Sequence, residues 1–166
     1  MATIAKLVSD GELVEIVPDL DPGVCPARYL YALPRFTEFL DALPSLISSW
    51  NLEQTPAQQF DDLLNEFLGT EPFTVDLRFK PLRPLSDPWH GIWELKTPDI
   101  RIFGWFAERN KFIAVSGLET WKVKEHRLYA GCRDEVIRVR NNLALDEPKF
   151  VTGKDYHDVI SLLAFP

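Results

Sequence analysis

The sequence predicts an α+β fold in which an antiparallel, mostly meander β-sheet carries two N-terminal helices packed on it and a C-terminal helix. Two observations predict this class. Three short β-type runs follow one another in Gly91–Leu118, separated by tight turns at 97–99 and 108–110. Two amphipathic helical patterns precede these runs and a third follows them. We therefore expect the helices on one side of the meander.

The N-terminal half contains the first predicted elements. Apolar and acidic residues alternate over Glu12–Val17, which predicts a short strand, and the proline-rich Pro18–Pro26 predicts a loop. Apolar residues at helical spacing predict a first helix over 34–43, with Pro44 as its stop. A second helix is predicted after Thr55-Pro56, a capping residue followed by proline, and Gly69 ends it.

The remaining elements surround the meander. Alternation over Thr74–Leu82 predicts a strand with Val75, Leu77 and Phe79 on one face and a positive outer face. Lys124–Leu145 has the period of one helix with arginines on its exposed side, and a short helix is predicted over Asp155–Leu163. We interpret residues 1–166 as a single domain, with 146–166 as a C-terminal extension.

Charge and cysteine content limit the function classes. The net charge of −7 argues against a general polyanion binder, although it is unevenly distributed: residues 1–76 carry −10 and residues 77–166 carry +3. Cys25 and Cys132 have no metal-binding or redox spacing, which indicates free thiols in a reducing compartment. No signal-like or membrane-spanning stretch is present, so we expect a cytoplasmic protein without membrane contact. No metal or cofactor motif occurs.

Arg101 is the most informative single residue. It stands at the start of a central strand, where a charged side chain is either displayed for binding or paired, because a buried unpaired charge is costly. The alternative to a binding role is an ordinary cross-strand ion pair with Asp99 or Glu94. Glu94 itself is either a functional carboxylate or a solvated strand residue, and both alternatives stay open.

The meander resembles the RelE/ParE superfamily of bacterial and phage toxins, especially its HigB-like and phage-derived branches. The matching segments are Trp93-Glu94-Leu95, Ile100–Phe103 and Ile113–Leu118, followed by a helix with repeated arginines. The resemblance covers roughly Glu12–Leu145. It implies a RelE-like fold and, by analogy with RNA-cleaving members, a toxin that cuts mRNA in the ribosomal decoding site without a metal or cofactor. It also implies a cognate antitoxin as partner.

The resemblance also suggests roles for particular residues. Arg101 matches a strand arginine that contacts the scissile phosphate, which suits the planar guanidinium. Glu94 is the candidate base, and His126 and Tyr129 are further candidates for proton transfer. The remaining candidates would bind RNA through charge or stacking. They are Lys80, Lys96, Trp121, Lys122 and Lys124.

Two departures from the family pattern favour an alternative. Where relatives have a pair of lysines, this chain has Glu119-Thr120-Trp121, and the chain is acidic where many such toxins are basic. The alternative is a catalytically silent RelE-like protein-binding module, with a phage gene as one candidate source, that uses the same sheet surface to hold a protein.

Overall fold

The computed structural model describes residues 1–17 and 20–166. Its strands are β1 (Val14–Ile16), β2 (Tyr29–Ala32), β3 (Phe73–Thr74), β4 (Phe79–Pro81), β5 (Trp93–Lys96), β6 (Ile100–Glu108), β7 (Lys111–Glu119) and β8 (Leu163–Ala164). Its helices are α1 (Ile4–Ser9), α2 (Pro34–Ala42), α3 (Pro56–Leu68), α4 (Thr120–Glu125), α5 (Tyr129–Asn142) and α6 (Tyr156–Val159). The main sheet has the strand order β1-β2-β7-β6-β5-β4, and β3 pairs with β8 in a second, small sheet.

The prediction of an antiparallel meander sheet is wrong, because the main sheet is mixed. Strand β2 runs parallel to β7, with Leu30 opposite Phe112, and β1 extends the sheet beyond β2. The four residues of β2 lie between Pro26 and Pro34, in a region without the length or alternation that marks a strand in the sequence. The class remains α+β, but the parallel pair requires a long crossover through α2, α3 and the rest of the sheet.

The helices lie on both faces of the sheet rather than on one side. Residues of α2 and α3 pack on one face, which we call the α3 face, and residues of α1 and α5 pack on the other, the α5 face. Phe36, Leu63 and Phe67 meet the α3 face, whereas Cys132 and Val136 meet the α5 face. Two apolar layers therefore sandwich the sheet.

The central hairpins and the first two predicted helices are confirmed. Strands β5, β6 and β7 form an antiparallel meander with turns where the sequence predicted them. Thr55 and Gln58 form a capping box at the start of α3, and the N–H of Gly69 donates to Asn65 after its end. Gly104 allows a close approach inside the sheet, because a Cβ there would lie 2.0 Å from the carbonyl oxygen of Ile113.

The predicted strand over Thr74–Leu82 is wrong. The chain makes a tight turn there, with Asp76 at φ +59°, and Leu77 is exposed at its tip instead of sharing a buried face with Val75 and Phe79. The segment is thus divided between β3 and β4, which belong to different sheets. Alternation alone could not reveal that this turn interrupts the strand.

The helix predicted over Lys124–Leu145 is broken into α4 and α5. The N–H of His126 donates to the carbonyl of Lys122 as α4 ends, and Arg127 then adopts φ +53°. The apolar period of the segment hides this break, because Val123 and Cys132 reach the same core from different helices. In the C-terminal extension, the predicted helix over Asp155–Leu163 shrinks to α6 and is followed by β8.

Two further segments complete the description. Helix α1 was not predicted; Thr3 caps it by accepting a hydrogen bond from the N–H of Lys6. The predicted loop Pro18–Pro26 includes Pro18 and Asp19, which lie outside the described residues, and residues 20–26 form no helix or strand. None of the described helices has the length and apolar content that crossing a bilayer requires.

Candidate functional site

Four charged residues meet on the α5 face where β4, β5 and β6 run side by side. Lys80 of β4 is opposite Glu94 of β5, and Lys96 of β5 is opposite Arg101 of β6. Opposed residues and residues two apart share a face of a sheet, so these side chains form one group. We call Lys80, Lys96 and Arg101 the cation row; Glu94 lies among them.

Arg101 is held without a carboxylate. It is 9 % exposed, and its Nη1 donates to the carbonyl oxygens of Thr97 and Ile100 and to the Thr120 hydroxyl. Its Nε is buried without a hydrogen-bond partner, and its Nη2 makes no hydrogen bond to any described residue. No described carboxylate lies within the 4.0 Å of an ion pair. The charge of Arg101 is therefore positioned but not neutralised.

The cross-strand ion pair considered for Arg101 does not involve Asp99. The Asp99 carboxylate instead accepts hydrogen bonds from the N–H of Ser49 at 3.0 Å and from Gln59 Nε2 at 2.6 Å. Gln59 also accepts from the N–H of Asp99, so that helix α3 grips the 97–99 turn from both sides. Asp99 thus fixes the turn whose carbonyl groups hold Arg101.

Glu94, the candidate base, is fully buried. Its carboxylate has 0 % exposure and accepts no hydrogen bond from the described residues, and its nearest cation is Lys80 Nζ at 3.4 Å from Oε1. Burial raises the pKa of Glu94, while Lys80 and Arg101 oppose that shift. The carboxylate lies beneath the cation row and, in this conformation, is not accessible to a substrate.

Lys96 carries a pKa shift of the opposite kind. Burial lowers the pKa of Lys96, and the nearby charges of Lys80 and Arg101 lower it further. The amine is half-buried and makes no ion pair with a described residue. Three cations held close together against a single buried carboxylate leave an excess of positive charge on this patch, despite the negative net charge of the chain.

Two clefts border the cation row. The first, of about 380 Å³, lies between the turn at 97–98, the turn at 76–78 and the start of α3, and both Lys96 and Arg101 line it. We call it the Arg101 cleft. The second, of about 290 Å³, lies between residues 80–83 and Tyr129. Tyr129, a predicted catalytic residue, is half-buried there with its ring edge-on to Phe103.

The predicted residues of α4 form a separate group. Glu119 pairs with Lys122 at 2.8 Å and accepts a hydrogen bond from Trp121 Nε1 at 3.0 Å. Hydrogen bonds from Lys122 and Trp121 lower the pKa of Glu119 even though its partial burial acts in the opposite direction. The predicted RNA-binding residues Trp121 and Lys122 are thus already engaged by an acidic neighbour.

His126 and Lys124 are exposed at the end of α4. The His126 ring lies 6.2 Å from that of Trp121, between ring centroids, and belongs to the α4 group rather than to the cation row. The sequence predicted one helix containing both His126 and Tyr129. The structure does not place them on one helix, because α4 ends before Tyr129. The structure therefore brings Lys80, Glu94, Lys96 and Arg101 together, with Tyr129 beside Lys80.

Several residues of the site were missed in the sequence. Thr120 accepts from Arg101 and donates its N–H to the carbonyl of Asp99, so it joins α4 to the row. Gln59 and Trp50 contact the 97–99 turn from 40 and 48 positions away in the sequence. A polar residue at the end of a strand was a weak signal for Thr120, whereas nothing local marks the other two.

Neither a metal centre nor a relative helps to assign these residues. Within residues 1–17 and 20–166, no three histidine, cysteine or carboxylate side chains are arranged to hold a metal ion. Roles for the cation row therefore depend on its own geometry. No family model matches the chain, and no curated protein or solved structure is significantly similar to it.

Proposed function

We propose that this chain is the toxin of a toxin–antitoxin pair, a RelE-like endoribonuclease that cuts mRNA on the ribosome without a metal ion and acts in the cytoplasm. The observation that carries the proposal is Arg101. Its guanidinium is almost wholly buried, yet its hydrogen bonds go to two carbonyl groups and a hydroxyl and not to a carboxylate. A fixed cation that keeps its charge suits a phosphate group, because it needs no reorganisation when negative charge develops.

The chemistry is attack of a ribose 2′-hydroxyl on the adjacent phosphate. The 2′-oxygen gives its proton to a base and bonds to phosphorus, the bond to the 5′-oxygen breaks, and that oxygen receives a proton. The products are a 2′,3′-cyclic phosphate and a 5′-hydroxyl. Arg101 and Lys96 would stabilise the charge on the phosphate oxygens, with Lys80 extending the binding surface along the backbone.

The proton transfers require groups that a substrate can reach. Lys96, whose pKa is lowered, and Tyr129, beside the second cleft, meet that condition better than the buried Glu94. We assign to Glu94 the positioning of Lys80 and the balancing of charge below the row. His126 lies with Trp121, Lys122 and Lys124 on α4, where it would contact RNA farther along the strand.

Growth arrest tests the proposal. Induction of the chain alone in bacteria should stop growth and produce cut mRNA, and Arg101→Ala should relieve the arrest, since loss of one transition-state contact costs roughly 10²-fold in rate. Arg109→Ala, at an exposed arginine in the turn after β6, is the matched control and should remain toxic. A folded Arg101→Ala variant that still arrests growth would contradict the assignment.

A catalytically silent protein-binding module is the second candidate. The burial of Glu94 and the engagement of Lys122 and Trp121 by Glu119 favour it, because both reduce the groups available for catalysis and for RNA. In either case the partner protein, an antitoxin for the toxin, would place acidic groups on the cation row. A soluble, folded chain that neither arrests growth nor cuts mRNA would favour the module.

A further inference from the structure

Trp50 presents a large aromatic surface on the loop between α2 and α3. It is 52 % exposed, yet its ring is anchored, because the indole Nε1 donates to the carbonyl oxygen of Pro98 at 3.1 Å. The preceding residue, Ser49, donates its N–H to Asp99 at 3.0 Å. Two hydrogen bonds thus fix this loop to the 97–99 turn, and the indole is held in place.

The same turn holds Arg101. The Arg101 Nη1 binds the carbonyl oxygen of Thr97, and the Trp50 indole binds that of Pro98, the next residue. Consecutive residues lie only about 3.8 Å apart along the chain, so the indole and the guanidinium are attached to neighbouring points. Thr97 and Pro98 both line the Arg101 cleft together with Lys96. The indole is therefore anchored to Pro98, a lining residue of a cleft whose two cations Lys96 and Arg101 have no carboxylate partner among the described residues.

The two carboxylates that line this cleft accept hydrogen bonds from neighbouring side chains. Asp62 accepts from Gln54 Nε2 at 2.6 Å, and Asp76 accepts from the Tyr156 hydroxyl. Both lie on the walls formed by α3 and the 76–78 turn. Because they would repel a phosphate there, an anion is expected against Arg101 and Lys96, on the side of the 97–98 turn that Trp50 contacts.

An aromatic face beside unneutralised cations is the arrangement by which proteins bind single-stranded nucleic acid, with a base stacked on the ring and its phosphate on the cations. Ile47 and Leu52 are also exposed on the loop and would suit a protein partner. A protein partner, however, gives no reason for the indole to be anchored on the residue next to the one that holds Arg101. The arrangement favours RNA.

We propose that Trp50 is a base-stacking residue: it packs against a nucleobase of single-stranded RNA whose phosphate is bound by Arg101 and Lys96. This inference rests on the proposed function, since it takes the cation row to be the surface that contacts RNA. It adds a residue that recognises bases to a surface that otherwise recognises only phosphate. It also predicts tighter binding of purine-rich strands, which stack more strongly.

Binding of two RNAs to the full chain tests the proposal. One is a short oligoadenylate and the other an abasic RNA of the same length, both measured by fluorescence anisotropy at low salt. Trp50→Ala should weaken oligoadenylate binding about tenfold or more and leave abasic RNA unchanged. Trp50→Phe should retain most of the affinity, because it keeps an aromatic face. Arg101→Ala should weaken binding of both RNAs.

The controls separate the possible failures. If Trp50→Ala weakens binding of both RNAs equally, the stacking role is overturned. It is also overturned if Ile47→Ala weakens RNA binding as much as Trp50→Ala does, because that result would indicate a general apolar docking surface for a protein. Loss of both RNAs in Arg101→Ala but of neither in Trp50→Ala would overturn the stacking role alone and leave the proposed function standing. If the unaltered chain binds neither RNA, the stacking proposal fails, whereas the proposed function is overturned separately, by the absence of growth arrest and of cut mRNA. Circular dichroism would confirm that each variant is folded.

Discussion

Two regions of this molecule each bury an arginine without a carboxylate partner, and they use it differently. At the C-terminal end of α3, Arg28 is 0 % exposed and donates to the carbonyl oxygens of five residues. These acceptors are Glu66, Phe67, Gly69, Glu71 and Ser161. Each of its three nitrogens is thus used, mostly for carbonyl groups that the end of a helix leaves without partners.

At the start of β6, Arg101 uses one nitrogen and leaves the others. Its Nε is buried without a partner, and its Nη2 makes no hydrogen bond to a described residue. Buried polar groups in native proteins are nearly always satisfied, so an exception calls for an explanation. Arg28 and Arg101 are alike in burial and charge; what separates them is the hydrogen-bonding capacity that Arg101 leaves unused.

Removal of Arg28 should have the largest effect on stability. Arg28→Met leaves several buried carbonyl groups at the end of α3 without donors, and each unsatisfied group costs about 1–3 kcal/mol. We expect a loss of more than about 3 kcal/mol in the free energy of unfolding, measured by urea denaturation. Arg109→Met, at an exposed position, is the control and should change little. A loss below about 1 kcal/mol would break the comparison, since Arg28 would then not be structural.

Removal of Arg101 should have a much smaller effect on stability. Arg101→Met loses the bonds of Nη1 but also removes a buried charge that has no carboxylate partner, and these effects oppose each other. The free energy of unfolding should stay within about 1 kcal/mol of the unaltered chain in the same denaturation experiment. A loss as large as that of Arg28→Met would assign Arg101 to the scaffold and remove the main support for the proposed function.

Local sequence patterns predicted those features of the molecule that depend on residues close together in the sequence. The meander, the start of α3 and the prominence of Arg101 follow from turn residues, a capping motif and a charge in an apolar strand. The role of Arg28 could not be predicted, because its five acceptors lie 38 to 133 residues away in sequence. The same reason applies to β2, whose partner β7 is specified by tertiary packing rather than by its own four residues.

Burial was the second property that the sequence did not reveal. Glu94 reads as a solvated or catalytic strand residue, yet its side chain is fully buried. Alternation marks which face a residue lies on but not whether a helix covers that part of the face. Trp50 is the opposite case: an aromatic residue in a polar segment is compatible with a buried ring as well as with an exposed one, and here the ring is exposed.

The raised pKa of Glu94 adds a pH-dependent test of how the charges around Arg101 are balanced. Its pKa in the folded chain is raised, so the folded state favours the protonated form. The contribution of Glu94 to the free energy of unfolding is therefore greatest below the pKa of the unfolded chain, near 4.3, and is lost as pH rises through the pKa of the folded chain. Glu94→Gln removes this charge and should stabilise the chain at neutral pH by roughly 1 kcal/mol. The gain should disappear as pH falls toward about 4. A variant destabilised at neutral pH would mean that the ionised carboxylate is needed to hold the cations.

The smallest expected effect concerns the packing of α5 on the face of the sheet where Glu94 lies. Cys132 of α5 is buried on the α5 face, and burial, together with the charge of Glu94, raises its pKa to about 11, whereas Cys25 is exposed. A thiol reagent at pH 8 should therefore modify one cysteine rapidly and the other very slowly. Cys25→Ser identifies which thiol reacts. If Cys132 reacts as fast as Cys25 in the folded chain, α5 opens readily; Glu94, whose charge acts on Cys132, would then be more accessible than its burial implies and would regain its place as a candidate base.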